Sequence, residues 1–391
     1  MIGLLALLLV GPSLTSTPRQ AEMRGLWVVR TGLTSPDSVD RVVDDAARAG
    51  FNALFVQVRG RGDAFYASRL VPRSDLLRGA PADFDPLGRL LARARLRGLQ
   101  VHAWVNVLLT AHFGLPLPQG HVAARHPEWL MVPKDGAPSA LSASRGDLVR
   151  VIERYRDATD SEGLYLSPSA PGAVAHLEQV VSEVVRGYAV DGLHLDFIRY
   201  PGPEYDWSRV ALEGFRTSRG GGDLLRGPAA DAEAWGNYRR TAVDALAVRL
   251  SGAARQARPG VVVSAAVVPD QAQALYHRYQ SWPGWIARGV VDAVCPMTYT
   301  PDTKIFRAQV EQARTRLGTT APVWAGVGAW RLPMASVVEK IRAAREAGAS
   351  GVVLFSHESF VSEDLDRLRQ DAFPAMAAAP AAQELGTRGH R

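Results

Sequence analysis

The segment Gly-Leu-His-Leu-Asp-Phe-Ile, residues 192–198, is almost continuously apolar, and only His194 and Asp196 interrupt it. A short apolar run of this kind is typical of a strand that is buried on both faces, as in a parallel sheet. Seven other segments have the same character, namely residues 24–29, 52–58, 100–107, 261–268, 292–299, 321–328 and 351–357. The chain is therefore predicted to contain eight buried strands.

The stretches between these strands have the periodicity of amphipathic helices. Residues 38–50 end in Gly50, and residues 85–98 begin with Asp85 and Pro86 and end in Gly98. Asp is a common N-cap, Pro is favoured in the first turn, and Gly ends helices. Eight strands alternating with helices predict an α/β fold, a single (β/α)8 TIM barrel over residues 21–370. The alternative is a doubly wound open sheet, but such sheets usually have fewer strands, and no GxGxxG motif follows the first strand.

Composition narrows the class of protein. Of the 391 residues, 47% are apolar and 21% are charged, which is typical of globular proteins and excludes a disordered or coiled-coil chain. The single cysteine, Cys295, excludes an internal disulfide framework and a cysteine-rich metal site. The net charge is +6, but the arginines are scattered, so a nucleic-acid partner is not expected, whereas an acidic polymer stays open.

The two ends of the chain are predicted to lie outside the barrel. Residues 1–10, MIGLLALLLV, are too few for a membrane span, which needs about 20, and they resemble the apolar region of a secretory signal peptide. We expect a leader over residues 1–20 and export to the periplasm, cell surface or medium, with no membrane span in the mature chain. The alternative is a buried N-terminal segment. Residues 371–391 are rich in Ala and Pro and are predicted to be disordered.

Three loops are longer than a minimal barrel unit requires. Residues 108–176 follow strand 3, residues 199–235 follow strand 4, and a shorter loop with Tyr276 and Tyr279 follows strand 5. All three leave the C-terminal ends of strands, which is the face where barrel enzymes hold their active sites. Long loops at such a face are often functional.

Aromatic and polar side chains at the strand ends compose a candidate carbohydrate site. Aromatic faces stack on sugar rings, while amide, imidazole and guanidinium groups bind hydroxyls. For each aromatic residue the alternative is packing inside the barrel. The predicted substrate-binding residues are Arg59, Trp104, Asn106, His194, Tyr299, Trp324 and His357.

Asp196 is the strongest catalytic candidate, because an acid inside an apolar strand is almost never fully buried without a partner. The alternative is a structural ion pair with Arg59 or Arg24. No HExxH, GxSxG or P-loop motif is present, and neither a metal nor a cofactor is predicted.

A second carboxyl group is usually needed for glycoside hydrolysis. The candidates are Glu358 after strand 8 and Asp270 after strand 5, with Asp63 after strand 2 as a third. A capping role is the alternative for Asp270. Hydrolysis assisted by an acetamido group of the substrate would need only one acid and an orienting Asp.

Seven segments together resemble the glycosyl-hydrolase-like family 10 of bacterial envelope proteins. They are residues 23–29 (MRGLWVV), 49–74, 84–106, 126–130 (HPEWL), 164–201, 285–300 and 351–356 (GVVLFS). The resemblance implies an eight-stranded barrel, export, and action on a cell-envelope or extracellular polysaccharide. On the family pattern Asp196 falls on the acidic position of the fourth strand, and Phe197 stands where many relatives have a second acid.

A looser similarity is to chitinase-type barrels. The matching residues are Asp191, Gly192, Asp196, Tyr200, Pro201, Met297 and Tyr299, and the departures are His194, Ile198 and Thr300. Ile198 stands where those enzymes have the catalytic Glu, so their acid cannot be used here. The first hypothesis is therefore an exported glycoside hydrolase, with polysaccharides containing N-acetylated sugars among its candidate substrates. The second is a non-catalytic glycan-binding protein on a hydrolase scaffold; a deacetylase is less favoured, since it would need a metal triad. The oligomeric state is left open.

Overall fold

The computed structural model describes residues 21–114, 117–155, 161–318, 321–381 and 385. The predicted leader, residues 1–20, lies outside the described residues. Eight parallel strands form one sheet in the order β8-β7-β6-β3-β2-β1-β10-β9. They are β1 (Met23–Val28), β2 (Ala53–Arg59), β3 (Gln100–Asn106), β6 (Gly192–Asp196), β7 (Val262–Val267), β8 (Ala293–Pro296), β9 (Trp324–Gly328) and β10 (Gly351–Phe355). Parallel bridges from Val294 to Val323 and from Met297 to Gly326 join the two edges, so the barrel is nearly closed.

The predicted (β/α)8 barrel is therefore confirmed, and each of the eight predicted segments overlaps one barrel strand. Two further strands, β4 (Leu109–Ala111) and β5 (Leu164–Tyr165), form a small antiparallel pair inside the loop after β3. The helices are α1 (Pro36–Ala49), α2 (Pro86–Leu96), α3 (Val122–Arg125), α4 (Ala137–Ser142), α5 (Leu148–Arg154), α6 (Pro171–Gly187), α7 (Arg209–Ser218), α8 (Arg226–Ala230), α9 (Ala232–Ala257), α10 (Trp282–Ala287), α11 (Thr303–Leu317), α12 (Met334–Glu346) and α13 (Ser362–Arg367). Among the described residues, none of these helices combines the length and hydropathy that a bilayer span requires.

Local sequence signals set the helix ends. Helix α2 begins after Asp85, whose carboxylate accepts a hydrogen bond from the Gly88 amide at 3.0 Å. Helix α1 has a capping box between Ser35 and Ser38, and it ends at Gly50, whose φ of 85° is accessible to glycine without steric cost. These caps set both ends of α1 and the beginning of α2.

The barrel interior is filled mainly by rings. Trp27, Phe55, Trp104 and Trp324 are buried there, together with His102 and His194. Small residues on neighbouring strands make room: a Cβ on Gly192 would lie 2.1 Å from the His102 Nδ1 atom. A separate, mainly aliphatic core packs between the strands and the helices. The ring-filled interior therefore has no space for a substrate below the strand ends.

The loops after β3 and β6 pack against each other. Asp206 is fully buried, and its Oδ1 atom accepts hydrogen bonds from the amides of Val132 at 3.1 Å and Ser208 at 2.9 Å. A small hydrophobic cluster around Trp207 and Trp235 joins the same two loops. Burial raises the Asp206 pKa, and the hydrogen bonds to the carboxylate oppose that rise. The two long loops thus form one layer over part of the C-terminal face.

The segment after α13 differs from its prediction. Residues 371–381 and 385 cross the N-terminal end of the barrel rather than lacking structure. Their carbonyl oxygens accept hydrogen bonds from side chains at strand beginnings: Arg24 donates to Ala375 at 2.6 Å, and Gln100 donates to Pro380 at 3.3 Å. Leu385 packs against the interior cluster. Composition could not reveal this, because the barrel, and not the segment itself, supplies the donors. Residues 382–384 and 386–391 lie outside the described part.

We predict that Phe373 contributes strongly to stability. It is fully buried, its ring lies 5.5 Å from the Phe51 ring, and the Arg24 guanidinium lies 4.9 Å above it. Phe373→Ala should lower the free energy of unfolding by about 3–5 kcal/mol, as large-to-small core substitutions do. The measurement is the urea midpoint with its slope. Met376→Ala is the matched control, because Met376 is 64% exposed on the same segment. Equal midpoints for the two variants would contradict the placement of this segment.

Candidate active site

A cavity of about 380 Å³ opens at the C-terminal ends of the barrel strands. Its floor is formed by residues from the ends of β1, β2, β3, β6 and β10, and its rim by the loops that follow. The residues that line it include Trp27, Arg30, Gln57, Arg61, Trp104, Asn106, Asp196, Phe197, Arg199, Tyr299 and Phe355. Four of the ten predicted site residues therefore meet in one cavity, namely Trp104, Asn106, Asp196 and Tyr299.

Asp196 is the last residue of β6 and the buried carboxylate of the cavity. Its Oδ1 atom accepts a hydrogen bond from the Phe197 amide at 2.6 Å and one from the Arg199 guanidinium at 3.0 Å. Phe197, the next residue along the chain, has a φ of 50°, a strained value for an aromatic residue. The Phe197 ring in turn lies 4.3 Å under the Arg199 guanidinium. The strained turn therefore holds the carboxylate and its cation together.

The charge state of Asp196 reflects two opposing effects. Burial raises the Asp196 pKa, and the Arg199 charge with the Phe197 amide opposes that rise. The ion-pair alternative is thus present, but with Arg199 rather than with Arg59 or Arg24. Arg24 instead pairs with Glu22 at 2.7 Å. The sequence contains this ion-pair partner three residues after Asp196, as the arginine of LDFIRYP.

One wall of the cavity is a polar network. The Asn106 amide donates to the Gly60 carbonyl at 2.9 Å, and the Gln57 amide approaches the Asn106 Oδ1 atom at 3.4 Å. The Gln57 Oε1 atom accepts a hydrogen bond from the Arg30 guanidinium at 3.0 Å. These groups hold one another in fixed orientations, which favours recognition of hydroxyl or amide groups.

The opposite wall is aromatic. The Tyr299 ring centroid lies 6.4 Å from that of Trp27 and 5.0 Å from that of Trp330. The Trp330 centroid lies 5.3 Å from that of Phe355, and Trp330 is 41% exposed. Burial raises the Tyr299 pKa well above its ordinary value, and the nearby Asp196 charge adds to the rise, so the phenol stays neutral. The wall continues the cavity outward as an apolar surface.

Two predicted residues lie inside the barrel, below the cavity. His194 is fully buried, with its Nδ1 atom 2.9 Å from the Ser264 hydroxyl and its Nε2 atom 3.3 Å from the Trp27 indole nitrogen. Burial lowers the His194 pKa to about 3, so the imidazole is neutral. Trp324 packs 5.8 Å from Phe55. For Trp324 the structure therefore shows the barrel-packing alternative.

Four other predicted residues do not line the cavity, namely Arg59, His357, Asp270 and Glu358. Arg59 is fully buried and donates to the Asn106 carbonyl and, at 3.3 Å, to the Thr110 hydroxyl, so it secures the chain after β3. Burial lowers its pKa to about 10. His357 lies 3.0 Å from Asp45 on the helix side of the barrel.

The two carboxyl groups predicted as proton donors are both exposed. Asp270 accepts a hydrogen bond from the Gln273 amide at 2.7 Å, which is the capping role given as its alternative. Glu358 accepts a hydrogen bond from the Thr31 hydroxyl at 3.3 Å. Neither is among the residues that line the cavity. The third candidate, Asp63, accepts a hydrogen bond from the Arg61 amide at 2.8 Å and orders its own loop.

Glu162, which the sequence did not reveal, does not itself line the cavity, but its carboxylate is close enough for its charge to act on Asp196. It precedes β5, and its Oε2 atom accepts a hydrogen bond from the Tyr165 hydroxyl at 2.6 Å. The Tyr165 ring lies 6.2 Å from the Phe197 ring, and the Glu162 charge contributes to raising the Asp196 pKa. Arg61 donates to the Glu162 carbonyl at 2.9 Å. Only the pairing of β5 with β4, which has no sequence signature, brings Glu162 here.

Comparisons with known proteins agree with this architecture. The glycoside hydrolase domain of PgaB (BpsB) from Bordetella bronchiseptica has a TM-score of 0.68 at 16% identity, with 92% of this chain and all 100% of that chain covered. The alpha-L-fucosidase isoenzyme 2 from Paenibacillus thiaminolyticus has a TM-score of 0.62 at 16% identity, with 90% and 49% covered. At such identities these likenesses show the fold.

Sequence relatives extend the comparison. Glycosyl hydrolase DigH of Escherichia coli K12 is 26% identical over 326 residues, which is 74% of this chain and 68% of that protein. Glycosyl hydrolase YngK of Bacillus subtilis is 26% identical over 225 residues, and the match covers 51% of this chain and only 39% of that longer protein. The pattern of the glycosyl hydrolase-like 10 family matches residues 22–342, which include every barrel strand except β10. The chain thus belongs to the glycosyl hydrolase-like 10 family.

Proposed function

We propose that this protein is an exported glycoside hydrolase that acts on a cell-envelope or extracellular polysaccharide. The observation that carries the proposal is a buried carboxylate, Asp196, held between a polar wall and an aromatic wall at the C-terminal face of the barrel. Sugar rings have apolar faces and polar edges, so a cavity with one wall of each kind fits them. Export rests on the leader-like residues 1–20.

Asp196 and Glu162 are the two carboxyl groups of the proposed mechanism. Both hydrogen bonds on Asp196 go to Oδ1, from Phe197 and Arg199, so Oδ2 is the oxygen proposed to act on the substrate as nucleophile, base or orienting group. Glu162 is exposed, and its Oε2 atom is held by the hydrogen bond from the Tyr165 hydroxyl. We assign it the role of proton donor to the leaving oxygen. Arg199 is then a positioning residue.

The charges around the cavity favour an acidic polysaccharide. Arg30, Arg61 and Arg199 all line the cavity, and among the described residues Arg199 is the one of the three that forms an ion pair with a carboxylate. Arg30 is hydrogen-bonded to the Gln57 amide oxygen and Arg61 to a backbone carbonyl, while the charges of Asp63 and Glu162 act on Arg61 without an ion pair. Guanidinium groups bind carboxylates with paired hydrogen bonds. Sugars that carry a carboxylate beside N-acetyl groups are therefore the first substrates to test.

Asp196→Asn should abolish hydrolysis. The variant keeps the shape of the carboxyl but cannot attack or accept a proton, so kcat should fall by about 10²–10⁴-fold or more. The measurement is release of reducing ends from peptidoglycan, chitin-type polymers, deacetylated poly-N-acetylglucosamine, acidic glycans and neutral glucans.

Asp270→Asn and Glu358→Gln are matched controls for that experiment, because both carboxyl groups are exposed and outside the cavity. We expect both controls to stay within about twofold of the wild type. Retention of activity by Asp196→Asn would refute the proposed mechanism. Binding of one polymer without release by any protein would support the non-catalytic glycan-binding alternative, which the Phe197 and Ile198 departures motivate.

Glu162→Gln should lower kcat by about 10²–10⁴-fold on natural glycans, because the leaving oxygen then departs without a proton. The loss should be much smaller on an aryl glycoside whose leaving group needs no protonation, and added azide should restore part of the rate if the enzyme is retaining. The Tyr165→Phe variant is the control, since it removes only the hydrogen bond to Glu162. Equal losses on both kinds of substrate would exclude Glu162 as the proton donor.

Arg199→Gln should change the pH profile of kcat/KM. Because the Arg199 charge opposes the rise of the Asp196 pKa, its removal raises that pKa further. If Asp196 acts as a carboxylate, as proposed, the acidic limb moves to higher pH. Arg61→Gln is the control, because Arg61 has no hydrogen bond to Asp196, and it should leave that limb in place while raising KM. A shift of the alkaline limb would instead assign Asp196 the role of proton donor.

A further inference from the structure

A second pocket lies outside the cavity, against the beginning of α6. It has a volume of about 240 Å³ and is formed by the loop after β2, the insertion after β3 and the first turns of α6. This volume is below the about 300 Å³ at which sites for whole small molecules begin. The pocket therefore suits one functional group of a larger ligand rather than a sugar chain.

The polar side chains that line this pocket are Arg125, His126, His176 and Gln179, and no Asp or Glu is among the lining residues. The nearby Glu128 is already paired with His126 at 3.1 Å and with Arg145 at 2.8 Å. The Arg125 guanidinium has no hydrogen bond or ion pair within the described ranges. The field in the pocket is thus positive.

His176 carries the clearest sign that the pocket has an occupant. Its Nε2 atom is buried and has no hydrogen-bond partner among the described residues. A buried polar atom without a partner costs about 1–3 kcal/mol, so such atoms in proteins usually meet a water or a ligand. Burial lowers the His176 pKa to about 4, and the charges of Arg59 and Arg125 contribute. An anion would oppose the effect of those charges and accept a hydrogen bond from His176.

The pocket is shaped before any ligand binds. The His126 ring stacks on the Trp129 indole at 3.7 Å between centroids and 5° between planes, and its Nδ1 atom faces Glu128. The indole also lies against Gly172, where a Cβ would be 2.2 Å from the Trp129 Cζ2 atom. The absence of a side chain at Gly172 therefore lets Trp129 and His126 keep their positions.

We propose that this pocket binds an oxyanion, a phosphate ester or a sugar carboxylate, that belongs to an acidic polymer. Arg125 supplies the charge, His176 and Gln179 supply hydrogen-bond donors, and the stacked His126 and Trp129 rings form a wall of the pocket. The proposal goes beyond the proposed function and does not depend on catalysis in the cavity, because the pocket shares no lining residue with the cavity. The site would hold a second part of the polymer, or a second strand, on the outside of the barrel.

The test is a titration of the full chain, labelled with ¹³C at histidine Cε1, with inorganic phosphate, glucuronate and, as a neutral probe, glucose. The chain has 9 histidines, and the His176 signal is assigned as the one absent from His176→Gln. We expect the His176 and His126 signals to shift saturably with phosphate, glucuronate or both, and not with glucose. A response to phosphate alone indicates a phosphate ester as the natural group, and a response to glucuronate alone indicates a sugar carboxylate.

Two variants and one control make the result specific. Arg125→Ala should weaken binding at least about tenfold, as loss of a charge-assisted hydrogen bond does. Gly172→Ala should weaken it without any change of charge, because the new methyl group displaces Trp129. Arg316→Ala is the matched control, since Arg316 is also an exposed arginine but lies on α11. Absence of any shift, an equal response to glucose, or equal weakening by Arg316→Ala would each overturn the proposal. Because the readout is binding, its failure is distinct from a failure of hydrolysis.

Discussion

An eight-stranded barrel must fill its own interior, and here aromatic and imidazole rings do so. Trp27, Phe55 and Trp324 pack on His102 and His194, and burial lowers the pKa of both histidines to about 3. Neutral imidazoles can be packed as flat rings without the cost of a buried charge. The interior is consequently closed, and a ligand has access only to the layer formed by the strand ends.

Backbone strain occurs in the layer of residues directly above these buried rings. Asp196 is the first charged group above the rings of β6, and the strained φ of Phe197 follows at once. The Phe197 amide donates a hydrogen bond to the carboxylate, and the aromatic side chain also covers the Arg199 guanidinium. Strained backbone of this kind persists where the surroundings fix it, and it is found preferentially at functional sites. Unlike a second acid, the Phe197 side chain adds no negative charge beside Asp196, and its ring lies against the Arg199 guanidinium.

The parts of the molecule that could be predicted from the sequence are those governed by local rules. The strands are apolar runs in the sequence, and helix caps such as Asp85 and Gly50 are local features. The alternation of inward and outward side chains placed Trp104, Asn106 and Asp196 correctly in one layer. It does not show how deep a residue lies, so it also predicts a cavity position for His194, which is two residues before Asp196 and lies inside the barrel. It also could not show that Arg59 turns away to bind the backbone at Asn106. The sequence does not predict Glu162 as a site residue, because β5 is only two residues long and its position depends on long-range pairing.

The net charge of the chain and the pairing of individual arginines give different information about ligand binding. The net charge of +6 says little, because many arginines are balanced on the surface, as Arg89 is by Asp40 and Arg97 by Asp44. Such exposed pairs contribute at most about 1 kcal/mol each and attract no ligand. Arg30 and Arg61 at the cavity differ because, among the described residues, their side-chain hydrogen bonds go to an amide or carbonyl oxygen and not to a carboxylate, and Arg125 at the outer pocket has no ion pair there. An arginine that faces a concave site without a carboxylate partner can bind an anionic ligand, whereas the paired arginines of the helix faces already have one.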